Sequence, residues 1–113
     1  MIQNLFHQKQ EDIQQMIAEI QNTLQKREQL HQHIINVLEQ DEKSITELLY
    51  GISETRTVSK DVIENELYNL QHEKRTEQRL YLQDVWNLKK ELLLQQRALH
   101  DIERKIVAIQ SLG

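Results

Sequence analysis

The sequence predicts an all-α protein in which two long helices form an antiparallel coiled-coil hairpin. Apolar residues recur at alternating intervals of three and four along both halves of the chain, which is the heptad spacing of helices that coil around each other. The 113 residues contain no proline and two glycines, Gly51 and the last residue. Glutamine supplies 16 residues and apolar types only 38%, which suits a narrow apolar seam better than a thick core.

We predict that the first helix spans about residues 2–51. Nine of the twelve heptad positions from Ile13 onward are apolar, and Phe6 lies on the same track one heptad earlier. Such a track predicts one buried stripe along the helix. The twelve positions are Ile13, Ile17, Ile20, Leu24, Arg27, His31, Ile34, Leu38, Asp41, Ile45, Leu48 and Ile52.

A corner is predicted over residues 52–58. Gly51 can adopt the left-handed conformation that closes a helix C-terminus without steric cost. Four hydroxyl residues follow as candidate N-caps of the next helix, and we favour the last, because Val58 before it and Asp61 after it fit a helix start. The alternative is one continuous rod that contains Gly51, since a glycine inside a helix costs only about 1 kcal/mol relative to alanine. The four hydroxyl residues are Ser53, Thr55, Thr57 and Ser59.

The second helix is predicted over about residues 59–112. The intervals before and after Tyr81 are both four, and residues 71–79 contain no apolar side chain, so we expect the packing to be weakest there. Its track consists of Ile63, Leu67, Leu70, Lys74, Glu77, Tyr81, Val85, Leu88, Leu92, Gln95, Leu99, Ile102, Ile106 and Ile109.

The polar members of the two tracks predict how the helices align. In a hairpin that turns near residue 56, facing positions have residue numbers that add up to roughly 112. Asp41 should then lie near Lys74 and Gln71. Arg27 and His31 should lie near Tyr81 and Val85. Such a polar layer can set the register of a coiled coil. Alternatively, it can be a loosely packed, solvated part of the interface that favours no particular register.

No residue pattern in the chain predicts catalysis or metal binding. The absence of cysteine excludes thiolate chemistry and disulfides. His31 and His33 point about 200° apart on a helix and cannot share a metal ion. We therefore expect a protein without enzymatic activity, cofactor or metal.

The acidic residues are expected to be solvated and paired along the helix surface. Glu73 and Glu77 are predicted to pair with the neighbouring arginines, Arg75 and Arg79. The formal net charge is −4, and acids are interleaved with the basic patches, so nucleic-acid binding is not predicted.

Five residues are candidates for binding a partner protein. Trp86 flanks the seam, and tryptophan is enriched at binding hot spots. Leu93 and Leu94 widen the apolar face beyond what one seam needs. Tyr50 and Tyr68 lie close to the corner and could form an aromatic tip. Each of these residues could instead serve only to cover the edge of the seam.

The location expected from the sequence is cytoplasmic. The N-terminus lacks the apolar core of a signal peptide, and no run approaches the ~20 apolar residues of a membrane span.

The layout of the chain resembles that of the central-stalk family of type III secretion, which includes the flagellar protein FliJ and its YscO and SctO counterparts in virulence injectisomes. The similarity covers the segment "EDIQQMIAEIQNTLQKREQL" in the first arm. In the second arm it covers "TVSKDVIENELYNLQHEKRTEQRLYLQDVWNLKKELLLQQRALHDIERKI". It lies in two long helices, a mid-chain corner and a composition rich in Gln, Glu, Lys and Arg.

The resemblance implies a hairpin that stands in the pore of a hexameric secretion ATPase and couples it to the export gate. Secretion chaperones would be further partners, and the protein would lie at the inner-membrane face of the apparatus without inserting into the membrane. Two other classes of function remain open. One is a small helical secretion chaperone or self-assembling coiled-coil scaffold, in which two copies would form a four-helix bundle. The other is a subunit of some other coiled-coil complex.

Overall fold

The protein consists of two long α-helices, which confirms the predicted all-α helical hairpin. The computed structural model describes residues 2–55 and 60–112, with side chains described for 2–51 and 60–112. Helix α1 spans Ile2–Thr55 and helix α2 spans Lys60–Leu112. No strand occurs in these two ranges.

The hairpin divides into two compact units. In unit 1, the part of α1 up to Lys26 clusters with the part of α2 from Asp84 onward. Unit 2 comprises Arg27–Gln83 and therefore contains the remainder of both helices. Each unit thus pairs a segment of α1 with a segment of α2, as expected for a chain that reverses direction once.

The apolar seam of unit 1 lies where the heptad pattern predicts it. Every predicted α1 position from Phe6 to Leu24 is buried or half-buried, as is every α2 position from Val85 to Ile109. The residues between them on the helix surface are mostly exposed, because one stripe is all that a two-helix seam can cover. The most deeply buried members are Ile20, Ile102 and Ile106.

The seam of unit 2 follows the prediction on α2 and departs from it on α1. Ile63 and Leu70 are buried, and each α2 track position from Ile63 to Tyr81 is at least half-buried. On α1, the predicted positions Asp41 and Leu48 are exposed.

An interval of four after Leu38 explains this departure. Leu38 is buried, and the next covered positions are Glu42, Ile45, Thr46 and Leu49. One additional interval of four rotates the seam by about one position around the helix. The rotation brings the Glu42 carboxylate to within 3.5 Å of the Lys74 ammonium group, a contact that the exposed Asp41 does not make.

Gly51 lies inside α1, which corrects the prediction that it closes the helix. The helix continues to Thr55, and Gly51 shows no left-handed backbone conformation. A helical glycine costs only about 1 kcal/mol relative to alanine, and no nearby proline removes a hydrogen-bond donor. A Cβ added at Gly51 would meet no atom within 4 Å, so neither packing nor backbone geometry requires glycine here.

The remaining predictions for the corner fall largely outside the described residues. Ser59 as N-cap, Val58 as its apolar neighbour and Thr57 as an alternative cap belong to this group. Helix α2 begins at Lys60, with Asp61 in its first turn, where negative charge is favoured by the helix dipole.

Candidate functional site

A cluster of polar side chains lies inside the seam of unit 2. The Arg27 guanidinium donates from Nη2 to both carboxylate oxygens of Glu77, at 2.7 and 3.2 Å. Nδ1 of His31 lies 2.7 Å from Oε2 of the same carboxylate. All three side chains are largely buried, with exposed fractions between 11% and 16%. Glu77 therefore joins two residues of α1, one turn apart, to α2.

An aromatic side chain completes this polar cluster. The rings of His31 and Tyr81 stack with their centroids 3.9 Å apart and their planes inclined by 11°. The Arg27 guanidinium carbon lies 5.3 Å from the centroid of the Tyr81 ring, within the range of a cation–π interaction. Tyr81 thus covers the charged groups from one side and limits their contact with water.

The pKa of Glu77 is lowered by this arrangement. Burial alone would raise the pKa of its carboxyl group, because it disfavours the charged form. The hydrogen bonds from Arg27 and His31, and the charge of these two groups, outweigh burial and hold the pKa below its usual range. Glu77 is therefore a carboxylate at neutral pH.

The position of Glu77 corrects the prediction that it pairs on the surface with Arg75 and Arg79. Glu77 is the one buried charged residue among those described, and its partners are on the other helix. The sequence placed Glu77 on the apolar track, and this position was the signal that it turns inward. The predicted proximity of Arg27 and His31 to Tyr81 is confirmed.

A second polar contact joins the two helices of unit 2. The Lys74 ammonium group lies 3.5 Å from Glu42 and 3.8 Å from Glu39. The prediction paired Lys74 with Asp41, which is exposed. Lys74 itself is only 25% exposed, so its charge is held close to the seam by two carboxylates rather than one.

These polar contacts join the two helices of unit 2. Arg27, His31 and Glu77 bind one another inside the seam of that unit. Among residues 2–55 and 60–112, no three His, Asp or Glu side chains are placed to hold a metal ion.

The five predicted partner-binding residues are all exposed. Tyr50 is 75% and Tyr68 is 63% exposed, both in unit 2. Tyr50 borders a shallow groove of about 320 Å³ together with Lys74 and the acidic residues of α1 around it. No described contact brings Tyr50 and Tyr68 together, so the aromatic tip stays a prediction.

The other three predicted partner-binding residues lie on α2 in unit 1. Trp86 is 63% exposed, Leu93 48% and Leu94 49%. Trp86 and Leu93 are seven residues apart and share one face of the helix. The Lys90 ammonium group lies 5.2 Å from the centroid of the Trp86 ring. These residues form an exposed surface, and their role in binding stays a prediction.

The length and polarity of the helices bear on membrane insertion. Within the described ranges, neither α1 nor α2 contains an apolar stretch sufficient to traverse a lipid bilayer.

The chain was compared with known proteins at the level of family, sequence and structure. No family model, curated protein or solved structure matches it. The resemblance to the secretion stalk family therefore lies in helix layout and composition alone.

Proposed function

We propose that this chain is a non-enzymatic coiled-coil stalk of a type III protein secretion system, which couples a hexameric export ATPase to the export gate. The observation that supports the proposal is a hairpin of two helices, 54 and 53 residues long, with a seam of covered positions in each unit. Such a hairpin presents long helical surfaces to partner proteins. Hydrolysis would belong to the ATPase ring.

The buried polar cluster supports a mechanical role. A stalk transmits position or torque only if its two helices do not slide past each other. Sliding by one heptad would separate Glu77 from Arg27 and His31 and leave its buried carboxylate without these two partners, which is costly. The cluster thus resists the motion that would weaken a rod under load.

The proposal is tested by mixing the purified chain with the hexameric secretion ATPase and the export-gate protein of its host. We expect the chain to co-elute with both proteins and to promote assembly of the ATPase hexamer. Substituting Tyr68→Ala and Trp86→Ala should weaken this association, whereas the control Met16→Ala, at a position 43% exposed on α1, should not. Absence of any complex with either protein would refute the stalk function.

A second candidate function is a small secretion chaperone or self-assembling scaffold in which two hairpins form a four-helix bundle. The exposure of Leu93 and Leu94 favours it, because a dimer would cover them. Sedimentation equilibrium distinguishes the two functions: the stalk predicts a monomer, and the bundle predicts a dimer that dissociates when Leu93 is replaced by Glu.

A further inference from the structure

The outer face of α2 in unit 1 carries a row of exposed residues at intervals of seven. The row consists of Trp86, Leu93, His100 and Val107, and the three apolar members are 63%, 48% and 61% exposed. His100 is exposed as well. In a helix with a heptad seam, residues seven apart stay on one face. This row therefore runs parallel to the buried seam without being part of it.

A row of positive charges lies beside the first. Lys90, Arg97 and Arg104 follow Trp86, Leu93 and His100 by four residues each, so they lie one turn further along the same side of the helix. Arg97 and Arg104 form no ion pair with the described side chains. The ammonium group of Lys90 lies over the Trp86 ring. Apolar surface and unpaired positive charge thus occur together.

The surface between the two rows is concave at its C-terminal end. An open groove of about 410 Å³ is bordered by His100, Arg104 and Val107, with Glu103 and Ala108 at its margins. All of these residues belong to α2 and to unit 1. The groove has the shape to accept an apolar side chain, with a guanidinium group at its edge.

We propose that this outer face of α2, made of the Trp86 row and the Lys90 row, binds an acidic amphipathic helix of another protein. Apolar side chains of the partner would cover Trp86, Leu93 and Val107. Its carboxylates would pair with Lys90, Arg97 and Arg104. A helix laid along a helix with complementary charges beside an apolar stripe is a recurrent mode of peptide recognition.

The corresponding surface of α1 has a different chemistry. In unit 1, the exposed positions Gln8, Gln15 and Asn22 repeat at the same interval of seven and are all amides. The side chains of Gln8 and Gln15 donate hydrogen bonds to carboxylates one turn later, those of Asp12 and Glu19. This surface carries the negative charges of Asp12 and Glu19 and would repel an acidic helix, so the docking surface for such a partner in unit 1 lies on α2.

Charge argues against a second copy of the chain as the occupant. Among the described residues, the only other exposed apolar pair seven residues apart is Leu30 and Val37 on α1. Lys26 and His33 precede these two residues by four. A second copy that docked this stripe would bring Lys26 and His33 towards Arg97 and Arg104, and only Asp41 at one end of the stripe would supply a carboxylate, whereas the proposal requires carboxylates along the whole row.

The test uses a synthetic peptide of four heptads with leucines along one stripe, glutamates beside it and no tryptophan, monomeric at the concentration used. Trp86 is the only tryptophan of the chain, so its fluorescence reports on this surface directly. We expect the peptide to shift the Trp86 emission to shorter wavelength, and added salt to weaken binding. The same peptide with lysine in place of glutamate should bind with an affinity lower by at least about tenfold.

Matched variants test the role of the charges. Arg97→Glu combined with Arg104→Glu should reduce affinity for the glutamate peptide by about tenfold or more. Arg75→Glu combined with Arg79→Glu makes the same charge change at exposed positions of α2 in unit 2 and should alter affinity by less than about twofold. Equal binding of both peptides, equal losses in both double variants or an unchanged emission spectrum would overturn the proposal.

Sedimentation of the chain alone tests whether a second copy of the chain occupies this face. If the chain forms a dimer that Leu93→Glu dissociates and Met16→Glu does not, a second copy occupies this face and the proposal is refuted. The peptide experiment contains no secretion component. Absence of peptide binding would therefore not refute the stalk function. Absence of a complex with the ATPase and the export-gate protein would likewise not refute the docking face.

Discussion

At the scale of single residues, Glu77 combines burial with charge. Its carboxylate accepts hydrogen bonds from Arg27 and His31, and Tyr81 packs on both of these side chains. A buried ion pair adds little net stability compared with apolar residues, but loss of one partner is costly because the others stay buried. We therefore interpret the cluster as a device that sets the alignment of the helices.

Replacing Glu77 by Gln should lower the free energy of unfolding by about 1–3 kcal/mol, because the Arg27 and His31 side chains lose the charged carboxylate that binds both of them. Urea unfolding followed by circular dichroism measures the loss. Glu73→Gln, one turn away at an exposed position, is the control and should change stability by less than about 0.5 kcal/mol. Equal effects of the two substitutions would show that Glu77 is solvated.

The lowered pKa of Glu77 also predicts how stability depends on pH. The folded state holds this pKa below the ordinary value of about 4.5, so between the two values the unfolded chain binds more protons and stability rises with pH. The contribution of Glu77 is complete above about 4.5 and is lost as the pH falls through the folded-state value. The stability difference between the native chain and Glu77→Gln should therefore narrow on acidification.

A Glu77→Gln difference that stays constant over this pH range would show that the folded and unfolded states protonate the Glu77 carboxyl group alike.

At the scale of the helices, the burial of a residue depends more on its heptad position than on its residue type. The α2 track contains Lys74, Glu77 and Gln95, yet each of them is buried or half-buried, as are the apolar members of the track. Leu82, Leu93 and Leu94 lie off the track and stay exposed. Position in the heptad decides burial because each helix of a pair has only one neighbour to pack against.

The seam predicts a contrast between two adjacent residues. Ile106 is 7% exposed and Val107 is 61% exposed. Ile106→Ala should reduce the free energy of unfolding by about 2–4 kcal/mol, because it removes buried methyl groups and leaves a cavity. Val107→Ala should cost less than about 0.5 kcal/mol. Thermal melting distinguishes the two, and similar losses would mean that the seam does not run through Ile106.

The helical conformation of Gly51 is tested by substitution. Gly51→Ala should raise the free energy of unfolding by about 0.5–1 kcal/mol, because alanine is the better helix former and its Cβ meets no atom. Ala18→Gly, at an exposed position of the same helix, should cost a similar amount. A destabilising Gly51→Ala would instead indicate the left-handed helix end that the sequence suggests.

At the scale of the whole molecule, charge and apolar surface are distributed unevenly between the helices. Residues 1–52 carry four basic and eight acidic side chains, whereas residues 53–113 carry ten of each. In unit 1 the exposed apolar row accompanies the basic residues on α2, whereas α1 presents amides together with the carboxylates of Asp12 and Glu19. The two helices of the hairpin are thus not equivalent as binding surfaces.

Spin labels test the reversal of the chain within unit 1. Because the chain lacks cysteine, labels can be introduced at Gln15→Cys and Gln96→Cys, both exposed. Paired helices lie about 8–10 Å apart, so we expect a label separation of about 20–30 Å by electron-spin resonance. A continuous helix would place the labels about 120 Å apart.

A second label pair provides the control. Gln96→Cys with Gln110→Cys lies within α2 and should give about 21 Å in either geometry. A measurable distance for this pair, with none for Gln15 and Gln96, would contradict the hairpin.

The sequence by itself determined the helical class, the number of helices and nearly all of the buried positions. Heptad spacing carries this information because a residue's position around a helix follows from its number alone. The polar positions Arg27 and His31 and their proximity to Tyr81 could be predicted in the same way. The candidate binding residues Trp86 and Leu93 could also be named from the sequence, but the row of basic residues beside them was not recognised.

Only the tertiary structure decided where the pattern is interrupted and which charges meet. The extra interval after Leu38, the extension of α1 beyond Gly51 and the pairing of Glu77 with Arg27 and His31 were not predicted from the sequence. Local sequence cannot decide such details, since a helical glycine, for example, costs only about 1 kcal/mol relative to alanine. Contacts across the seam of unit 2 decide which charges meet, as between Lys74 and Glu42 and between Arg27 and Glu77.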